Sequence, residues 1–169
     1  MEGQDHIADQ GTGLAQLPPV GIRVGRQALT LAERVLDAAA PEEGCGLLLG
    51  RRESQGGGAG EIWCLMQVWP CCNVWEPPAE RQRRFLVDPR EQLHAGRWSR
   101  RRGLEMLGSL HSHPASEPLP SATDRALVAF PTLMMMRGQA PGGSPVPTWR
   151  CWWLDPEAAP LRLPWTMED

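Results

Sequence analysis

Five short apolar runs constrain this chain more than any other feature: CGLLLG (45–50), IWCLMQVW (62–69), LEMLGSL (104–110), TLMMM (132–136) and WRCWWL (149–154). Each has the length of a strand, too short for a buried helix, and each is bounded by polar residues, Gly or Pro. CGLLLG contains no polar side chain, which predicts a strand covered on both faces. Helical patterns lie between the runs. Ala28, Leu31, Ala32, Val35, Leu36 and Ala39 recur at three and four residues, predicting a helix over 27–40 that Pro41 ends. Asp88 followed by Pro89 reads as an N-cap and first helical position, so 90–102 is predicted helical. A third helix is predicted over 121–130 and a short strand over 85–87. The segments 51–60 and 139–147 read as loops and 70–84 as irregular. Strands and helices in this order, without strict alternation, predict an α+β (mixed α/β) fold rather than a doubly wound one.

The 169 residues suit one domain, expected over 21–165, after a polar lead-in over 1–20 expected to be a flexible tail. A chain of this size can build a core without covalent staples. All 17 basic residues are Arg, and 20 acidic residues leave a net charge of −3. With a pI near 5.8, the charge balance argues against a nucleic-acid partner. No stretch is long and apolar enough to predict a membrane span, and the first residues lack the basic and apolar regions of a secretory leader. Five Cys, an odd number with no CxxC pair, predict reduced thiols and therefore a cytoplasmic location. Eight Trp and no Tyr put most of the aromatic packing on Trp.

The residues that carry chemistry sit in one block: His111-Ser112-His113-Pro114, then Ser121 and Asp124. Two His at i and i+2 on extended backbone project to the same face, so both imidazoles can reach one ion. Asp124, one turn into the following helix, can add a carboxylate oxygen. Two imidazoles and one carboxylate leave a fourth tetrahedral position open, the pattern of a catalytic zinc. Each piece also has a plainer reading. An HxH pair alone is a weak signal, and Ser121-Ala122-Thr123-Asp124 ahead of an apolar run is a capping box. With 4 His in the chain, H-x-H-x7-S-x2-D is expected by chance on the order of 10⁻⁴ times per sequence. The cap accounts for Ser121 and Asp124 but not for the two His at that spacing.

The stretch HSHPASEPLPSATD resembles the signature of the JAMM (MPN+) metalloprotease family, H-[ST]-H-P-x6-S-x2-D. PEEGCGLLLG (41–50) is similar to the P-x-E-x-C-G-L-L-x-G form of small bacterial members, and it aligns Glu43, not Glu42, with the family's catalytic Glu. NVWEPPAERQRRFLVDP and PLPSATDRAL extend the resemblance over roughly 22–154. It implies the JAMM/MPN (cytidine-deaminase-like) architecture, a curved, mostly antiparallel sheet flanked by helices. It also implies Zn2+ held by His111, His113 and Asp124, with Glu43 as general base and then acid and the Ser121 hydroxyl on the oxyanion. The implied activity is hydrolysis of the amide bond after the C-terminal Gly-Gly of a ubiquitin-like sulfur-carrier protein or its conjugate. Arg81, Arg83 and Arg84 would line one wall of the substrate slot. The short link from Asp124 to TLMMM lacks the long second insertion of polyubiquitin-specific relatives, which favours a carrier substrate. The competing reading is a non-catalytic MPN-type zinc-binding scaffold. A DNA-repair family with a related HNHPSG motif departs from this sequence at Ser112 and at Ala115-Ser116.

Other chemically capable residues take plainer roles. Glu105, the rival base, lies mid-strand and is expected to face solvent. His6 and His94 read as surface histidines. Arg100 to Arg102 read as a solvated helix end complementing the helix dipole. Cys71-Cys72 read as ordinary thiols and Cys45 as a small buried residue. Met134 to Met136 read as core strand.

Overall fold

A computed structural model describes residues 16–144 and 146–169; residues 1–15, with His6 and most of the expected tail, lie outside the described residues. The apolar runs become strands of one curved eight-stranded sheet, in the order β7-β6-β5-β4-β2-β3-β1-β8. In chain order the elements are β1 (Gly21–Gly25), α1 (Arg26–Ala39), β2 (Cys45–Ser54), β3 (Glu61–Cys71), α2 (Pro89–Arg100), β4 (Glu105–His113), α3 (Ala122–Ala126), β5 (Thr132–Gly138), β6 (Thr148–Leu154), β7 (Leu161–Leu163) and β8 (Trp165–Glu168). Four of the seven pairings are antiparallel: β2/β3, β2/β4, β5/β6 and β6/β7. The other three, β1/β3, β1/β8 and β4/β5, are parallel. The fold is therefore mixed α/β, as the run pattern predicts. No helix among the described residues is long and apolar enough to cross a membrane.

The sheet separates two apolar clusters. On one face α1 packs Ala28, Ala32 and Leu36 against Leu48, Trp63, Leu65, Leu110, Met135 and Trp153. On the other, Ala95 of α2 and the 85–87 segment cover Cys45, Leu47, Met134, Met136 and Leu154. Trp makes the large aromatic pairs as expected, with Trp63 and Trp153 edge to face at 5.5 Å and Trp69 and Trp98 at 5.8 Å. CGLLLG is buried throughout, and Met134 to Met136 are core residues. All five cysteines are free thiols.

Four local expectations change. Residues 85–87 form no strand, only a single bridge from Val87 to Asn73, because the Leu86 amide donates to the Asn73 side chain instead of a backbone carbonyl. α3 stops at Ala126 rather than 130, with Leu127 as its C-cap. The loop expected over 51–60 begins later, because β2 continues through Ser54. β1, β7 and β8 carry too few apolar residues to stand out, yet β8 pairs with β1 and extends the sheet to Glu168, beyond 165.

One irregularity aims the functional strand. The β2/β4 register shifts between Leu48 and Leu49, so Leu107 and Leu110, three residues apart, both join the α1-side cluster. His111 and His113 then fall on the α2 side. Gly108 permits this: a Cβ there would lie 1.8 Å from the Leu133 carbonyl oxygen on β5.

Candidate metal centre

His111 and His113 are the last inward-facing residues of β4, with Nε2 atoms 2.9 Å apart. The His111 ring is fully buried and stacks on Phe85 at 4.2 Å between centroids. His113 Nδ1 lies 2.9 Å from the Glu117 carbonyl oxygen, which can only accept. Nδ1 therefore carries the proton, and the Nε2 lone pair faces His111 and the two carboxylates.

The loop after Pro114 is pinned to the sheet. Gln139 N donates to Ser116 O at 2.8 Å, Trp152 Nε1 to Pro118 O at 2.9 Å, and Arg150 pairs with Glu117 at 3.1 Å. The chain thereby returns to the imidazoles at Ser121, the N-cap of α3. The capping box is real: Asp124 N donates to Ser121 Oγ at 3.1 Å, and Ser121 N donates to Asp124 Oδ2 at 2.7 Å. It also delivers the Asp124 carboxylate, with Oδ1 3.5 Å from His111 Nε2 and Oδ2 3.6 Å from His113 Nε2. Cap and candidate ligand are one arrangement. Ser121 Oγ accepts in the cap, which leaves its hydroxyl proton free to donate elsewhere.

Glu43 arrives from the α1–β2 turn. Its amide donates to Arg81 O at 2.7 Å; the next residue, Gly44, donates to Ser112 Oγ at 2.9 Å and accepts from Ser112 N at 3.0 Å. A Cβ at Gly44 would lie 2.9 Å from Leu36 Cα, so the turn closes tightly on α1. The Glu43 side chain is buried, Oε1 is 3.9 Å from His113 Nε2, and Oε2 has no hydrogen-bond partner. Glu42, by contrast, is only half-buried.

Burial raises the Glu43 carboxyl to about 7, with His113 opposing and the Asp124 charge reinforcing. Burial also works to raise Asp124, but the facing imidazoles of His111 and His113 and the Ser121 amide hold it well below the usual carboxylate range. Burial lowers His111, favouring its neutral form, while Asp124, the Glu117 carbonyl and Glu43 outweigh burial and raise His113.

These residues fit a metal ion. Nitrogen or oxygen ligands about 2.0–2.1 Å from a tetrahedral ion sit roughly 3.3 Å apart. The separations of 2.9, 3.5 and 3.6 Å among His111, His113 and Asp124 bracket that value. Glu43, His111 and His113 also each offer a ligand atom within 4.8 Å of the others. A cation would balance two buried carboxylates, and the His113–Glu117 bond is the outer hydrogen bond that metal-ligating imidazoles use.

The remaining sequence candidates fall elsewhere. Glu105 is exposed and pairs with Arg52 at 3.2 Å. Arg81 spends its guanidinium on Trp75 O at 2.8 Å and Glu76 at 2.9 Å, and Arg84 pairs with Glu80 at 3.1 Å. Arg83 is exposed. Sequence reasoning missed Ser112, Asn73 and Phe85, which touch the site through hydrogen bonds and stacking that no periodicity announces.

Comparison with known proteins bears on the family and the fold. Residues 27–155 match the Prok-JAB family, described as prokaryotic homologs of the JAB domain. A probable TtuB-protein conjugate cleaving protease of Thermus thermophilus is 35% identical over 112 residues, and a desampylase of Haloferax volcanii is 32% identical over 91. These matches cover 66% and 54% of this chain but only 62% and 58% of the relatives' own lengths. A Desulfitobacterium hafniense protein solved in solution superposes with a TM-score of 0.73 at 27% identity, covering 88% of this chain and 93% of that one. A Salinibacter ruber protein, also 27% identical, gives 0.58 over 87% and 92%. The family match runs from α1 to just past β6 and takes in both the Glu43 turn and the His111–Asp124 segment, so the chain belongs to the Prok-JAB family of JAB-domain proteins.

Proposed function

We propose that this protein is a zinc-dependent peptidase or isopeptidase that hydrolyses the amide bond after the C-terminal Gly-Gly of a ubiquitin-like sulfur-carrier protein or its conjugate. The observation that carries this reading is the buried convergence of Glu43, His111, His113 and Asp124 with one Glu43 oxygen left without a partner. In it, His111, His113 and Asp124 hold the ion. When bound, zinc supplies Lewis acidity, polarising the scissile carbonyl and acidifying water beside it. Glu43 accepts a proton from the attacking water and returns it to the leaving amine. Ser121 donates its hydroxyl proton to the developing oxyanion while its oxygen still caps α3. A Gly-Gly tail has no side chains to clash in a narrow slot and leaves its backbone free for recognition. The names of the two curated relatives, one for cleaving TtuB-protein conjugates and one a desampylase, support a protein conjugate as substrate. Arg83 and Arg84, both exposed, would meet acidic groups of the carrier, whereas Arg81 spends its guanidinium within the chain and offers its backbone carbonyl to Glu43. The thiol content supports work in the cytoplasm.

The test uses a Gly-Gly carrier fusion followed by mass, with metal analysis of each variant. The wild type should hold about one zinc per chain and cut the fusion. Glu43→Gln should keep the ion and the fold yet lose about 10²–10⁴-fold in turnover, because the amide cannot take up a proton. The double variant His111→Ala/His113→Ala should lose the ion. Unchanged zinc in that variant overturns the site, and a zinc-loaded wild type that cuts no fusion replaces the peptidase by a binding scaffold.

A further inference from the structure

Asn73, half-buried just after β3, uses all of its hydrogen-bonding capacity on backbone groups around the site. Its Nδ2 donates to Arg84 O at 2.8 Å and Glu43 O at 3.1 Å, with Arg81 O at 3.5 Å beside them. Its Oδ1 accepts from Trp75 N at 3.0 Å and Leu86 N at 3.2 Å. One carboxamide thus ties the Glu43 turn to both ends of the 75–86 segment, next to Phe85, which lies on the His111 ring. On its other side the turn is fixed by the Gly44–Ser112 pair, and Ser112 stands on the strand that carries both imidazoles. Glu43 is therefore held from two sides, by Ser112 of β4 through Gly44 and by the 73–84 segment, where Arg81 O takes its amide and the Asn73 side chain its carbonyl. We propose that Asn73 is a positioning residue: through the Glu43 backbone it holds that carboxylate at working distance from His113. This rests on Glu43 being the base. Asn73 touches none of the reacting atoms itself.

Residue chemistry makes the proposal specific. Asp at 73 would keep both Oδ1 contacts but turn a second oxygen toward the Glu43, Arg81 and Arg84 carbonyls, so the isosteric change should be worse than truncation. Displacing a catalytic group by about 1 Å can cost on the order of 10²-fold. Asn73→Ala should lower kcat about 10-fold or more with KM within about threefold, and Asn73→Asp should lower kcat further. Zinc content should stay that of the wild type, since His111, His113 and Asp124 are held by other bonds. In a Glu43→Gln background, Asn73→Ala should cause no additional loss, because the group it positions no longer works. Hydrogen exchange provides a readout independent of activity. The Glu43 amide donates to Arg81 O, whose segment Asn73 also holds, so it should exchange faster in Asn73→Ala while Leu110 and His111 on β4 stay protected. If Asn73→Ala fails to fold, Asn73→Ser, whose shorter hydroxyl cannot reach both the Glu43 and Arg84 carbonyls, takes its role with the same expectations. Equal losses of kcat in both backgrounds, or unchanged exchange at Glu43, overturn the proposal. If the wild type cuts no Gly-Gly carrier, the peptidase reading fails by itself, and the Glu43 amide still decides whether Asn73 holds that turn.

Discussion

Glu43 and Asp124 are both buried carboxylates beside the same pair of imidazoles, yet their protons behave oppositely. Asp124 accepts from Ser121 N and faces both imidazoles, so its charge is compensated; Glu43 Oε2 faces no donor, so its charge is not. The consequence is a pH dependence of the metal-free protein. The Glu43 carboxyl lies at about 7 in the fold against 4.5 unfolded, so the native state binds the extra proton between those values. Stability should fall as pH rises through that window, by up to about 3 kcal/mol. His113, raised above its ordinary value, adds loss in the same direction as pH passes through its folded pKa. Asp124 acts the other way: its contribution is present above the ordinary carboxylate range and is lost on acidification. Melting curves of chelated wild type and Glu43→Gln from about pH 5 to 8 check this. Glu43→Gln should show a shallower fall and a higher Tm at the alkaline end; identical slopes would mean that Glu43 is not the titrating group.

At the scale of elements, the site depends on two short devices. α3 has five residues and little intrinsic stability, so its first turn relies on Ser121. Ser121→Ala should cost about 1 kcal/mol and, by loosening Asp124, weaken metal retention as well as turnover. Calorimetry with a zinc-chelator competition separates the two effects; unaltered affinity would show that Asp124 holds its place without the cap. β4 depends on Gly108, which lets the β5 backbone approach where the strand bulges. Gly108→Ala should destabilise on the order of 3 kcal/mol or more, read as a loss of denaturation midpoint, because the added methyl meets backbone rather than a movable side chain. This dependence was only partly legible beforehand. Ser121 and Asp124 stand out as a capping box, whereas the need for Gly108 appears only when β4 pairs in parallel with β5.

For the whole molecule, the two apolar clusters lie on opposite faces of the sheet and contain none of the metal-ligand candidates. The core is complete without an ion, so chelation should leave far-ultraviolet circular dichroism that of a folded protein while lowering Tm. Complete unfolding on chelation would make the site structural. The C-terminal strand belongs to this stability. β8 covers the edge of β1, and Glu168 pairs with Arg23 at 3.0 Å, so truncation before Trp165 should expose a strand edge and lower Tm.

What the amino-acid sequence determined by itself is the set of local choices. Strand-length apolar runs have one stable use in a chain this size, which is a buried sheet. Proline and an N-capping Asp set the start of α2, and the i, i+2 spacing on extended backbone put both imidazoles on one face before any partner was known. A motif rather than periodicity singles out Glu43 over Glu42, and the fold buries Glu43. Tertiary structure alone decided the rest. The 85–87 segment looked like a strand because apolar content is local, but its hydrogen bonds go to Asn73, a partner that only the fold brings near. β1, β7 and β8 were invisible because so few residues per strand leave no pattern, and their pairing depends on neighbours far along the chain. Arg81 reads as a rim cation, and the fold spends its guanidinium on Trp75 O and Glu76 while its carbonyl takes the Glu43 amide. Side-chain chemistry is written residue by residue, whereas a site is made of distances, and those follow from which strands pair and in what register.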